Sequence, residues 1–315
     1  MTRIARILVP TDFSATSDEA LAYARTLAGR LGASLHLVHA FEDPFTSAAF
    51  ASEMYSTAPI SLRDALRRET ERRLAERLPG DQATYFNGTT EIVTGRPAKT
   101  IVEYATTLGA DLIVMGTHGR GGMAHLLLGS VAERVVRLAT APVLTLRRAA
   151  GPVTRILVPT DFSETADAAL DYAGLLAERF GAAIQLLHVL DDPLEAEGLS
   201  ADAYIGEAPS IRTALLQDAQ SRLAHRGVSP DGGSAIEREV LFGYGATTIA
   251  EYAAIRGADL IVMGTHGRTG IAHLLLGSVA ERLVRMAPCP VLTVRHPAAR
   301  AFLPDPAYDV QHLPA

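Results

Sequence analysis

Ala110-Asp111-Leu112-Ile113-Val114-Met115-Gly116-Thr117-His118-Gly119-Arg120 recurs, residue for residue, as Ala258 to Arg268. The uninterrupted apolar run inside it reads as a strand buried on both faces, as in a parallel sheet covered by helices. A glycine-rich turn follows. After nine intervening residues, Gly119 is followed by Gly129-Ser130 and the helical pattern Val131 to Leu138, and the copy places Gly277-Ser278 at the same distance from Gly267. One chain therefore carries the same strand, glycine loop and helix twice.

Moving outward, the repeat takes in the whole chain. Arg6-Ile7-Leu8-Val9-Pro10-Thr11-Asp12-Phe13-Ser14 recurs as Arg155 to Ser163. Arg155 against Arg6 gives an offset of 149 and Ala258 against Ala110 an offset of 148, so the halves differ by a net single residue between these blocks. Such a period is a domain rather than a solenoid unit. The joint falls at the small-residue break Ala149-Ala150-Gly151-Pro152,. We read domains over residues 1–148 and 152–296 and a tail over 297–315, whose Pro304, Pro306 and Pro314 favour an extended or disordered chain,.

In the first half, Ile7 to Val9, Leu35 to His39, Thr84 to Val93, Leu112 to Met115 and Val143 to Leu146 read as strands,. Between them lie helical patterns over Ser17 to Leu31, around Leu62 to Leu74 ending at Pro79-Gly80, from Pro97 onward, and over Val131 to Leu138,. Parallel strands need crossover connections, so five strands alternating with four helices imply an α/β fold,. The expected architecture is two tandem, doubly wound, five-stranded parallel-sheet domains of Rossmann-like type. Their strand order is expected to be 3-2-1-4-5, with a ligand crevice beyond the carboxyl ends of strands 1 and 4. Phe41 to Ile60 and Leu190 to Ser210 are long irregular connections that suit lids, interfaces or plain connectors equally,.

The 315 residues carry 29 basic and 35 acidic side chains, a net charge of −6, which gains nothing from counterion release on nucleic acid,. The single cysteine, Cys289, excludes an internal disulfide and reads as a small buried hydrophobe,. Met1 to Pro10, with Arg3 and Arg6, has no long apolar region, so neither a signal peptide nor a membrane span is expected, and the location expected is cytoplasmic,.

The glycine loop suits phosphate. Glycine permits close backbone approach, and a helix N-terminus offers free N–H groups and partial positive charge. Arg120 and Arg268 add a cation. A ligand-free alternative exists: Ser130 with Glu133, and Ser278 with Glu281, fit capping boxes that satisfy the helix start unaided,. The paired glycines at both strand ends favour the ligand.

The spacing G-x2-G-x9-G-[ST], the Val-Pro-Thr-Asp-Phe-Ser stretch, the Leu-Leu-Gly-Ser-Val-Ala-Glu-Arg block and the closing Pro-Val-Leu-Thr-Val together resemble the universal stress protein family, as a tandem member. The resemblance implies ATP as ligand, with Mg²⁺ held through the phosphates. By it, the strand-1 ends Pro10-Thr11-Asp12 and Pro159-Thr160-Asp161 lie beside the nucleoside. The backbone of Ala40 and Val189 meets adenine, and Met115-Gly116 and Met263-Gly264 border the ribose. Gly119, Gly129, Ser130 and Val131, with Gly267, Gly277, Ser278 and Val279, match the phosphate cradle, with His118, Arg120, His266 and Arg268 beside it. Single-domain relatives dimerise through their last strand. A fused pair would satisfy that contact internally, leaving a homodimer of the tandem chain as the next level.

The halves are not identical. Gly95-Arg96-Pro97 in the first is Gly243-Tyr244-Gly245 in the second, and Gly121 is Thr269. The loop lacks the Walker lysine, and no dinucleotide fingerprint follows strand 1. His118 with His125, and His266 with His273, lack a third ligand, so no metal site is assigned,. No base activates Asp12, so we assign no catalytic residue. The reading is a regulatory ATP-binding module. Its rivals are a slow ATPase or phosphotransferase and a ligand-free interaction protein.

Overall fold

A computed structural model describes residues 3–42, 60–117, 128–191, 208–227, 236–265 and 276–295. The loop histidines and Arg120 and Arg268, most of the two irregular connections and the tail lie outside the described residues.

In the first half β1 (Arg6–Pro10), α1 (Ala15–Leu31), β2 (Ser34–Phe41), α2 (Ile60–Arg77), α3 (Gly80–Tyr85), β3 (Thr89–Thr94), α4 (Pro97–Leu108), β4 (Leu112–Gly116), α5 (Ser130–Leu138) and β5 (Val143–Leu146) follow in order. The second half repeats the plan with β6 (Arg155–Pro159), α6 (Glu164–Phe180), β7 (Ala183–Leu190), α7 (Ala208–Ala224), β8 (Ile236–Phe242), α8 (Gly245–Arg256), β9 (Leu260–Gly264), α9 (Ser278–Met286) and β10 (Val291–Val294). Serines cap α1 and α6: Ser14 accepts from the Ser17 amide and Ser163 from the Ala166 amide,. Gly32 and Gly181, at φ 65° and 68°, end them in the left-handed conformation that favours glycine,.

The ten strands form one sheet, ordered β3-β2-β1-β4-β5-β10-β9-β6-β7-β8. Each half thus has the expected order 3-2-1-4-5. Within a half every pairing is parallel, while β5 and β10 pair antiparallel, with Leu144 opposite Leu292. The last strands therefore meet within the chain, and the carboxyl ends of the two half-sheets point in opposite directions.

Strands β1, β4 and β5 are apolar because both faces are covered. Ile7 and Val9 enter one core cluster and Leu8 the other, all fully buried. Each cluster draws residues from both halves, so the core is continuous across the joint. Thr145 Oγ1 donates to Val291 O (3.2 Å) and Thr293 Oγ1 to Val143 O (3.0 Å), which satisfies the buried hydroxyls there,. The Arg148 guanidinium donates to Pro288 O at 2.8 Å. Half-buried Cys289 packs against the same core, where burial, and Asp259 after it, pushes its thiol up to about 12,.

One strand differs from expectation. Thr84 to Gly88 is not extended: α3 and a turn occupy it, and β3 begins at Thr89. Thr84 Oγ1 donates to Gly80 O within the helix, and Asn87, at φ 45°, turns the chain so that Gly88 N reaches Ala83 O. Turn chemistry at Asn87-Gly88 outweighs the β preference of Thr84, Tyr85 and Phe86.

Candidate functional site

The site is built at the switch point, where the sheet order reverses between β1 and β4,. As β1 ends, Thr11 N donates to Val38 O (2.8 Å), which hangs the turn on β2. One Asp12 carboxylate oxygen accepts from the Ser14 amide (3.1 Å) and hydroxyl (2.6 Å). The second half matches this. Thr160 N donates to Leu187 O (2.8 Å), and Asp161 accepts from the Ser163 amide and hydroxyl at 3.1 and 2.6 Å. Each aspartate is thus fixed by the cap of the helix that follows it.

Between aspartate and serine, Phe13 and Phe162 both have φ 65°, uncommon for a residue with a Cβ,. The Phe13 ring lies 4.6 Å from that of His39, and Phe162 4.4 Å from His188. Each histidine Nδ1–H donates to a turn carbonyl, of Thr11 at 2.7 Å and of Thr160 at 2.6 Å, so the strand-2 histidines satisfy backbone partners,. Over the rings lie arginines of the long helices and of the turn after α7: Arg73 and Arg77 of α2 at 4.2 and 4.9 Å from Phe13, Arg222 of α7 and Arg226 just beyond it at 4.0 and 5.7 Å from Phe162. Arg77 also pairs with Asp18 at 2.6 Å, and Arg226 pairs with Asp167.

At the end of β4, Thr117 N donates to Leu146 O (2.8 Å), while Thr117 O accepts from Gly129 N (2.7 Å). In the second half Thr265 N donates to Val294 O (2.9 Å) and Thr265 O accepts from Gly277 N (2.8 Å). The glycine loop therefore leaves from and returns to one point, and the start of α5 or α9 is drawn against the strand end. The residue at each helix cap is glycine, with φ −62° at Gly129 and −60° at Gly277. Ser130 and Ser278 are the first helical residues instead.

That registration contradicts the capping boxes. Glu133 reaches Arg285 of the other half (3.5 Å), and Glu281 pairs with the same arginine (2.7 Å). A glutamate one position too far into the helix to face back on its start turns outward to a cation. No side chain at the cap position competes for the first amides of α5 and α9.

Pro10, Thr11, Asp12, Met115, Gly116, Gly129, Ser130 and Val131 thus share the carboxyl end of β1 and β4 and the start of α5, as do Pro159, Thr160, Asp161, Met263, Gly264, Gly277, Ser278 and Val279 in the other half. Ala40 and Val189 lie one residue before the ends of β2 and β7. His118, Gly119 and Arg120, with His266, Gly267 and Arg268, lie outside the described residues. Gly116 has a packing task of its own: a Cβ there would meet Thr16 of α1 at 2.7 Å.

Sequence reasoning passed over two features. Asp111 accepts from the amides of Ala5 (2.9 Å) and Arg6 (3.0 Å), and Asp259 from those of Thr154 (2.8 Å) and Arg155 (3.0 Å). The aspartate of the repeated motif therefore clamps the start of the first strand, at the end of the sheet remote from the crevice. The arginine–phenylalanine stacks had a signal available, since Asp18, Arg73 and Arg77 recur at Asp167, Arg222 and Arg226.

Fold and site define a tandem doubly wound α/β protein with one glycine-capped switch-point site per half. The model of the universal stress protein family matches residues 3–147 and again 152–295, and the chain belongs to that family. A universal stress protein of Methanocaldococcus jannaschii is 39% identical over 145 residues, 45% of this chain and 82% of that protein. One from Mycolicibacterium smegmatis is 28% identical over 304 residues, covering 92% of this chain and 96% of its own. The solved universal stress protein of Archaeoglobus fulgidus aligns over 92% of this chain and 98% of its own with a TM-score of 0.65 at 22% identity, a likeness of fold.

Proposed function

We propose that each half binds ATP, with Mg²⁺ held through the phosphates, and that the protein is a regulatory module of the stress response with little or no turnover. The observation that carries this reading is the helix start with glycine at its cap, tied by a main-chain hydrogen bond to the end of β4 and repeated in both halves. Helix-start amides that no cap side chain takes up, beside small residues, suit a polyphosphate,. Asp12 and Asp161, the anchored carboxylates across the gap, suit ribose hydroxyls. Ala40 and Val189 would face adenine through backbone groups, and His118, Gly119, Arg120, His266, Gly267 and Arg268 are the proposed phosphate partners.

The setting proposed is the cytoplasm. No described helix is long and apolar enough to cross a membrane. With β5 and β10 paired inside the chain, the proposed homodimer uses another surface.

The test is acid extraction of purified protein with mass spectrometry, followed by ATP titration of stripped protein. We expect adenine nucleotide to be released, and stripped protein to gain about 2.7 kcal/mol of stability per filled site at ATP a hundredfold above Kd. Gly129→Val with Gly277→Val keeps a backbone conformation open to any residue, so it should preserve the fold and abolish binding. Stripped wild-type protein that takes up no ATP would sink the reading.

A further inference from the structure

We infer that Phe13 and Phe162 are positioning residues for the nucleotide site, each coupling its neighbouring aspartate to the long polar helix, α2 or α7, through an aromatic–arginine stack. The inference rests on the ATP reading above.

Left-handed backbone is unfavourable for a side chain with a Cβ, and both halves hold a phenylalanine in it at the same φ of 65°,. A position that wants glycine but carries the same aromatic twice has a task for the ring. The turn around it supplies one. Only while the chain doubles back at Phe13 can Asp12 accept from the Ser14 amide at 3.1 Å and hydroxyl at 2.6 Å, with Ser14 in turn capping α1,. Loss of the left-handed turn would release the Asp12 carboxylate and the cap together.

The ring is held from two sides. His39 lies 4.6 Å away and is itself anchored on Thr11 O at 2.7 Å, one residue before Ala40. The Arg73 guanidinium covers the ring at 4.2 Å, while Arg77 of the same helix bridges to Asp18 of α1. One stack therefore touches β2, the turn after β1, and α2. The second half builds it again from Phe162, His188, Arg222, Arg226 and Asp167. Displacing α2 or α7 withdraws the cation, loosens the turn and lowers the fraction of molecules with a placed aspartate, which weakens binding by that fraction. Conversely, a nucleotide that fixes the aspartate steadies the helix.

The test compares ATP affinity, by calorimetry on the full chain, for wild type, Phe13→Leu/Phe162→Leu, Arg73→Gln/Arg222→Gln, and all four changes together. Loss of a partly exposed cation–π contact predicts about fivefold weaker binding for either pair. Acting through one device, all four changes should lose no more than about fivefold as well. The lost contacts should lower the thermal midpoint of the arginine variants by only about 2–8 °C, so they stay folded at the temperature of the binding assay and weaker binding reports positioning rather than unfolding. In wild type, ATP should slow hydrogen exchange in Ile60–Arg77 and Ala208–Ala224, and saturating ATP should fail to do so in the arginine variants. Arginine variants that bind within twofold of wild type, or a quadruple variant weakened by about twenty-fivefold, would overturn the coupling alone. Wild-type protein that binds no ATP would overturn the nucleotide reading and this inference with it.

Discussion

Gly116 and Gly264 are read above as ribose neighbours, yet the structure also gives each a packing task, and the two are separable without ligand. A Cβ added to Gly116 would lie 2.7 Å from Thr16 Cγ2, 3.0 Å from Thr16 O and 3.1 Å from Thr16 C. Rotating the threonine relieves the first contact. The other two belong to the first turn of α1, so Gly116→Ala pushes that helix off β4. Overpacking of this kind costs about 1–3 kcal/mol. At about 2–4 °C per kcal/mol for a chain above 150 residues, the melting temperature of nucleotide-free protein should fall by about 2–12 °C. Circular dichroism melts measure it. Thr16→Ser deletes Cγ2 and should return part of the loss. At Gly264 the close atoms are Thr165 C, Cβ and Oγ1, all at 3.0 Å, and serine keeps every one of them. Thr165→Ser should therefore fail to rescue Gly264→Ala. A Gly116→Ala protein that melts with wild type, or equal rescue in both halves, refutes the reasoning.

Two further outcomes follow from the joint and from a buried histidine. Leu292, fully buried where β10 crosses to β5, should cost about 2–5 kcal/mol on truncation to alanine. Arg285→Gln, which removes the half-exposed bridges to Glu133 and Glu281, should cost under about 1 kcal/mol; urea midpoints distinguish the two,. His36 is buried between Ser34 Oγ (2.8 Å) and Thr89 Oγ1 (2.9 Å), and burial first, then Arg6, lowers its pKa. The unfolded chain takes up that proton near pH of about 6.5 while the folded ring still refuses it. Stability therefore falls as pH drops below that value, until the folded ring titrates too. His36→Gln should flatten this part of the slope between urea melts at about pH 7.5 and 5.5, and an unchanged slope would contradict it.

The sheet was legible because its strands are buried on both faces. Ile7, Leu8 and Val9 leave no polar alternation to confuse with a helix, and the glycine breaks mark where crossovers begin,. The repeat then doubled every inference. β3 was the exception, since Thr84, Tyr85 and Phe86 look β-prone singly, and the turn at Asn87-Gly88 decides their conformation. At the site, the glycine loop could be read from spacing and the aspartates were implied only by the family resemblance, while the helix register followed from neither. A shift of one residue makes Gly129 the cap and turns Glu133 toward Arg285. The Asp111 clamp joins groups more than 100 residues apart in sequence, and the left-handed backbone at Phe13 leaves no compositional mark.

The antiparallel joint decides what two sites in one chain can do. Since β5 and β10 run in opposite directions, the carboxyl ends of the half-sheets, and the crevices with them, open on opposite edges of one sheet. No single ligand can bridge them. Any influence of one on the other has to pass through the shared core, where Tyr23 of α1 is buried close enough to Cys289 and Asp259 for both to raise its pKa after burial does. The outer strands are poor places for another copy. β8 carries Glu237, Arg238 and Glu239, and β3 exposes Thr89, Thr90 and Glu91, which guard an edge against further pairing,. Among the described surfaces, the proposed homodimer is left the helical layers, and the helices that carry the aromatic–arginine stacks are part of those layers.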